Sequence, residues 1–239
     1  MIKPFSRLDM SESQPNSLAW RQPKFSEDHY ELVDQPAGEQ LYATIGWPKW
    51  LSDQAVACSA YGNWYFDRLG WTRRTITVTR PVKPAENSGM VKHPAFERLA
   101  AFEVGWFWEG DLTLNSGEIF HWYRTKIFHN AWALIEVLLP DNPQLAETGM
   151  QGKPARVEQK RKSFRFGKPS KLPRLERLVY EIEFGMHWLK QEAWITLPAL
   201  QALNNVELTM LLCLGMYLGY CYIQDSAAGV AVSSTVAVS

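Results

Sequence analysis

The chain has 239 residues, of which 46% are hydrophobic, 13% aromatic and 21% charged, with 25 Lys and Arg set against 25 Asp and Glu. That apolar fraction is typical of globular proteins and excludes a wholly disordered chain, and the length suits one large domain or two small ones. The balanced charge argues against a nucleic-acid or membrane-surface partner, although a sum conceals how charge is distributed along the chain.

Residues 1–28 mix Ser, Gln, Pro, Asn and charges without apolar period, which predicts a flexible lead-in. The first nine residues contain no apolar core of about 7–15 residues, so no secretory signal is expected. Cys58, Cys213 and Cys221 are an odd number and form no CxxC pair. They speak against a disulfide framework or a zinc ribbon and for a cytosolic chain.

From about residue 30 to 196 the apolar period is two. Leu41, Ala43, Ile45 and Trp47 alternate with Tyr42 and Thr44, and Ile76 and Val78 alternate with Thr75, Thr77 and Thr79. Phe102, Val104, Trp106 and Trp108 are expected on one face, and Ile135, Val137 and Leu139 on another. Tyr180, Ile182 and Phe184 alternate with Glu181 and Glu183. Strict alternation over short runs signals strands with one face inward and one toward water. Turn residues punctuate the runs, most clearly at Asn115-Ser116-Gly117 between Leu112-Thr113-Leu114 and Glu118-Ile119-Phe120. Many short strands without an internal linker predict one meandering antiparallel sandwich or barrel.

The texture changes after Pro198, where Ala199 to Leu203 reads as helix behind a proline suited to a first turn. The sixteen residues 208–223, LTMLLCLGMYLGYCYI, then carry no charge. A helix apolar on all sides is buried, in a protein core or in a bilayer. A bilayer span takes about 20 residues, and a run of about 10–14 points to a core helix. The last 49 residues contain no Lys or Arg to anchor a span. A buried core helix at about 198–223 is therefore expected, with a tail-anchored span over 208–223 as the alternative. Gly215 and Gly219 form a GxxxG, which in a core helix lets neighbouring strands approach and in lipid would favour a helix dimer. Strands with one apolar face and a helix that is apolar all round satisfy each other when the sheet closes around the helix. The predicted fold is therefore mostly β, a closed antiparallel barrel of about twelve strands around a central C-terminal helix. It occupies residues 29–226 and leaves 227–239 as a tail.

Several stretches resemble a known family. Glu39-Gln40-Leu41-Tyr42-Ala43-Thr44-Ile45 and Gly62-Asn63-Trp64-Tyr65-Phe66-Asp67-Arg68-Leu69-Gly70-Trp71 resemble the early strands of the tubby C-terminal-like superfamily, in particular its bacterial, LURP-one-related and scramblase-like members. The block from Gly110 to Trp122 resembles that group's GxLxLxxGxxFxW hairpin, and Glu207 to Leu218 resembles its central helix. The resemblance implies a twelve-stranded barrel around a helix. It also brings phosphoinositide binding from the tubby branch and membrane association from the scramblases. Leu189 to Trp194 offers a single carboxylate, which departs from the scramblases' acidic calcium-binding segment, and the tubby C-terminal signature has no match.

Charge distribution supplies the sharpest functional signal. Residues 153–177 contain ten basic side chains, Lys153, Arg156, Lys160, Arg161, Lys162, Arg165, Lys168, Lys171, Arg174 and Arg177, against Glu158 and Glu176. The segment carries +8, so the rest of the chain carries −8. With Phe164 and Phe166 interleaved, it suits an anionic membrane surface or an acidic protein, and a solvated loop kept soluble by its charge is the plain alternative. No HExxH, GxSxG, GxxxxGKS or GxGxxG occurs. No cofactor, metal site or catalytic residue is assigned. Asp111, Glu118 and His121 are the nearest to a candidate active site, at the expected barrel mouth. A non-enzymatic cytosolic module, peripheral at a membrane, is the expected function.

Overall fold

The computed structural model describes residues 17–24, 27–35, 40–48, 53–69, 75–82, 95–105, 108–126, 130–138, 175–187, 190–198 and 203–236. The period-two runs form twelve strands: β1 Ser17–Arg21, β2 His29–Asp34, β3 Leu41–Gly46, β4 Gln54–Ser59, β5 Gly62–Leu69, β6 Thr75–Pro81, β7 Phe96–Val104, β8 Gly110–Leu114, β9 Ile119–Lys126, β10 Asn130–Leu138, β11 Leu175–His187 and β12 Lys190–Thr196. Each pairs antiparallel with its sequence neighbours, and β1 pairs with β12 to close the barrel. Closure leaves no open sheet edge for another chain to extend. The helix α1, Asn205–Val236, follows β12.

Alternation places one face of each strand inside. In β6 the fully buried Ile76 and Val78 alternate with half-exposed threonines. The inner wall then meets α1, whose residues Leu208 to Cys221 are buried without interruption. The segment that is long and apolar enough to cross a membrane is Asn205–Ala227, and 78% of an apolar 18-residue stretch of it is buried inside the protein. The GxxxG is read by β11. Tyr180 and Phe184 lie over Gly215 and Gly219, and a Cβ at either glycine would overlap those rings. The Tyr180 hydroxyl donates to the Leu211 carbonyl at 2.8 Å, holding β11 in register with the helix.

Four sequence expectations shift. The barrel begins inside the predicted lead-in, because Leu18 and Trp20 of β1 point inward and are buried; five residues are too few to declare a period. The helix α1 starts at Asn205, where the Asn204 carboxamide accepts the Glu207 amide hydrogen at 2.9 Å and caps it, while residues 199–202 of the expected start lie outside the described residues. It also runs past 223 into the expected tail, to Val236. The face begun by Phe102 and Val104 does not reach Trp108, which sits beyond β7 with a φ of 63°. Gly105 donates to the Glu109 carbonyl at 2.7 Å and turns the chain there. Trp106 and Leu139 lie outside the described residues. Strand β10 is buried on both faces from Ala131 to Val137, and Ile135 shares the outer face with its partner His121.

Gly219→Leu and Gly215→Leu are expected to lower stability by at least the roughly 1–3 kcal/mol typical of overpacking, measured as a lower urea midpoint. Phe184→Ala combined with Gly219→Leu should recover part of the loss, since the two side chains compete for one space.

Candidate functional site at the helix-entry end

In an antiparallel meander, alternate connections fall at alternate ends. The β2–β3, β4–β5, β6–β7, β8–β9 and β10–β11 connections therefore share the end at which α1 enters. The last pair of the β10–β11 ladder is Leu138 with Leu175, so the chain between them leaves and returns at that end. It carries nine of the ten basic candidates, Lys153 to Arg174, together with Phe164 and Phe166. These residues lie outside the described ones.

Arg177 is described, and it is engaged. Cross-strand from Glu136, it donates from Nη2 to that carboxylate. Glu136 is buried and Arg177 half-buried, so this guanidinium is spent on an inward ion pair. Removing one partner of such a pair is the costly change, because the other is left uncompensated. Glu207, in the first turn of α1, shares this end. Burial pushes its carboxyl above its ordinary value, hydrogen bonds from Asn204 oppose the shift, and Glu118 and Glu136 add to it. Among the described residues, eighteen carboxylates face nine Lys and Arg. The barrel is thus acidic, and the basic charge is concentrated in the connections.

The Asp111 and His121 pair forms, with Nδ1 to Oδ1 at 2.7 Å, but not at a barrel mouth. These residues are cross-strand partners flanked by the buried Leu112 and Phe120, so period two turns both outward. The Asp111 side chain is 66% exposed. Glu118 does not join them. Its Oε2 is buried without a hydrogen-bond partner near the β8–β9 turn, where Gly117 adopts a φ of 101°. Among the described residues no group of three His, Cys, Asp or Glu side chains is placed to hold a metal ion. Burial pushes the Cys213 thiol up, and the Cys221 thiol up to about 12, so both stay protonated at neutral pH and lack the thiolate that reacts.

The opposite end holds residues that sequence reasoning missed. Arg68 makes a two-pronged pair with Asp225, Nη1 to Oδ1 at 3.1 Å and Nη2 to Oδ2 at 3.0 Å, across 157 positions of sequence. Its guanidinium also lies 5.1 Å from the centre of the Trp108 ring. Arg124 is flanked by the Trp132 and Tyr222 rings at 5.8 and 5.4 Å, and the Tyr217 hydroxyl donates to the Asp53 carbonyl. No local pattern marks a charge pair so distant in sequence; only the apolar neighbours in WYFDRLGW hinted that Arg68 is half-buried.

No protein-family model, curated protein or solved structure matches the chain.

Two outcomes follow from these ends. A carboxyl whose folded pKa is raised contributes stability below its unfolded pKa and loses it as pH rises through the folded value. Glu207→Gln is therefore expected to raise the melting temperature at pH 7, with the gain vanishing below about pH 4, where both states bind the proton. Arg68→Met should destabilise by about 1.5–3 kcal/mol, the range for hydrogen bonds to charged groups. Asp225→Asn, which keeps one prong, should cost less in the same denaturation assay.

Proposed function

We propose that this chain is a non-enzymatic barrel module of the tubby C-terminal-like type that engages anionic surfaces, lipid head groups foremost, through residues 153–177. The observation that carries the reading is the separation of charge: +8 in residues 153–177 against an acidic remainder. The pairing of Leu138 with Leu175 supports it, because both ends of that connection are anchored at the same rim. A twelve-stranded closed barrel around an apolar helix supports the likeness to tubby-like proteins at the level of architecture. Architecture alone does not select a ligand, since one fold serves many functions.

Electrostatics sets the expected strength. Each basic residue near an anionic bilayer contributes about 1 kcal/mol, decaying over a Debye length. Arg177 is left out of this sum because Glu136 already neutralises it. The module is peripheral and cytosolic in this reading, with no cofactor, and residues 208–223 act as barrel core.

Flotation with phosphatidylcholine vesicles, with and without phosphatidylserine, tests the proposal. Binding is expected only with the acidic lipid and should weaken as salt rises. Replacing Lys160, Arg161 and Lys162 by Ala should remove roughly 3 kcal/mol, about a hundredfold in partition. Equal binding to neutral vesicles, or unchanged binding by the triple variant, overturns it. Alkaline carbonate extraction from cells addresses the tail-anchored alternative: release into the supernatant supports a peripheral module, and retention in the membrane pellet overturns it.

A further inference from the structure

Large hydrophobic side chains exposed on the barrel are unevenly placed. Those most open to solvent among the described residues are Leu69, Val82, Phe96, Leu178, Trp194 and Val206. Four of these belong to the helix-entry half. Phe96 opens β7 opposite Pro81, the last residue of β6, and Val82 continues that ladder by donating to the Ala95 carbonyl at 2.7 Å. Val206 is in the first turn of α1, and Leu178 faces Ile135 in the first part of β11.

We propose that Val82, Phe96 and Val206 are the part of the barrel that enters lipid, so that it stands on an anionic bilayer by its helix-entry end. The inference rests on the reading of residues 153–177 given above, and it adds an orientation and an apolar contact to it. Single exposed hydrophobes are ordinary on any surface. These are distinguished by three further observations.

First, Phe96 is half exposed, at 50%, although the Tyr65 ring packs edge-on against it at 5.1 Å, so the pair makes a raised aromatic ridge rather than a stray side chain. Second, two of the carboxylates on this rim are compensated within the protein. Glu97 pairs with Arg80 at 2.8 Å, and Glu136 pairs with Arg177. Third, the strongly basic connection leaves the barrel at this same end, between Leu138 and Leu175. Charge complementarity therefore selects an acidic bilayer as the occupant, in preference to a neutral apolar partner. Basic attraction brings the rim to the surface, and shallow apolar insertion then adds to binding in a way that salt does not screen.

Cosedimentation of the full-length chain with phosphatidylcholine vesicles containing phosphatidylserine, at low and high salt, separates the two contributions. The Val82→Ser/Phe96→Ser variant is expected to partition about tenfold more weakly, as removal of two partly buried apolar side chains predicts. Its salt dependence should match the parent chain, whereas the Lys160, Arg161, Lys162 to Ala variant should show a shallower salt dependence. Val206→Ser, on a different element, should fall in the same direction. Leu69→Ser, at the opposite end and equally exposed, should leave partition unchanged. Urea midpoints matching the parent establish that each variant is folded, and the conclusion is drawn from the variants that meet this condition.

If the parent chain binds acidic vesicles and both rim variants bind equally well, the rim inference is overturned and the basic-segment reading stands. If the parent chain does not bind acidic vesicles at all, both are overturned. A loss in Leu69→Ser as large as in the rim variants overturns the proposed orientation.

Discussion

The contact between β11 and the two glycines of α1 governs the rest of the structure. Tyr180 and Phe184 occupy the space that side chains at Gly215 and Gly219 would take, and the Tyr180 hydroxyl fastens the ring to the helix backbone. A helix buried on every side needs neighbours on every side, and a flat sheet supplies only one. Closing the sheet meets that demand, and the same closure buries the inner row of all twelve strands. The helix and the barrel are therefore each other's core.

Polar contacts then fix where the helix sits along the barrel axis. At its start, Asn204 caps it and Glu207 lies close to the Glu136–Arg177 pair. Toward the far end, Arg68 grips Asp225 and Tyr217 reaches the Asp53 carbonyl. The apolar stretch resists sliding only weakly, because one apolar neighbour substitutes readily for another. Directional hydrogen bonds at both ends supply the register. The rim at the helix-entry end carries exposed apolar side chains and both ends of the basic connection.

Much of the architecture was legible because it is local. Period-two alternation is a property of successive residues, so β3, β6, β11 and the β8–β9 hairpin could be read directly, as could the uncharged run in α1. The enclosing barrel followed from mutual burial. The residues misplaced by sequence reasoning are those whose role depends on distant partners. Trp20 belongs to a strand only because β12 and β2 lie beside it. Arg177, counted among free cations, meets an inward carboxylate 41 positions away. Asp111 and His121 do meet, but on the outer wall, since their neighbours Leu112 and Phe120 claim the interior.

The amino-acid sequence by itself determined the strand alternation, the single apolar helix and the segregation of +8 into residues 153–177, because each is written in neighbouring residues. Only the tertiary structure decided how the chain closes, which face of α1 meets β11, and that the basic connection and the exposed Val82, Phe96 and Val206 share one end. Those features depend on antiparallel pairing between segments far apart in the chain, and pairing distance is what a local pattern does not encode.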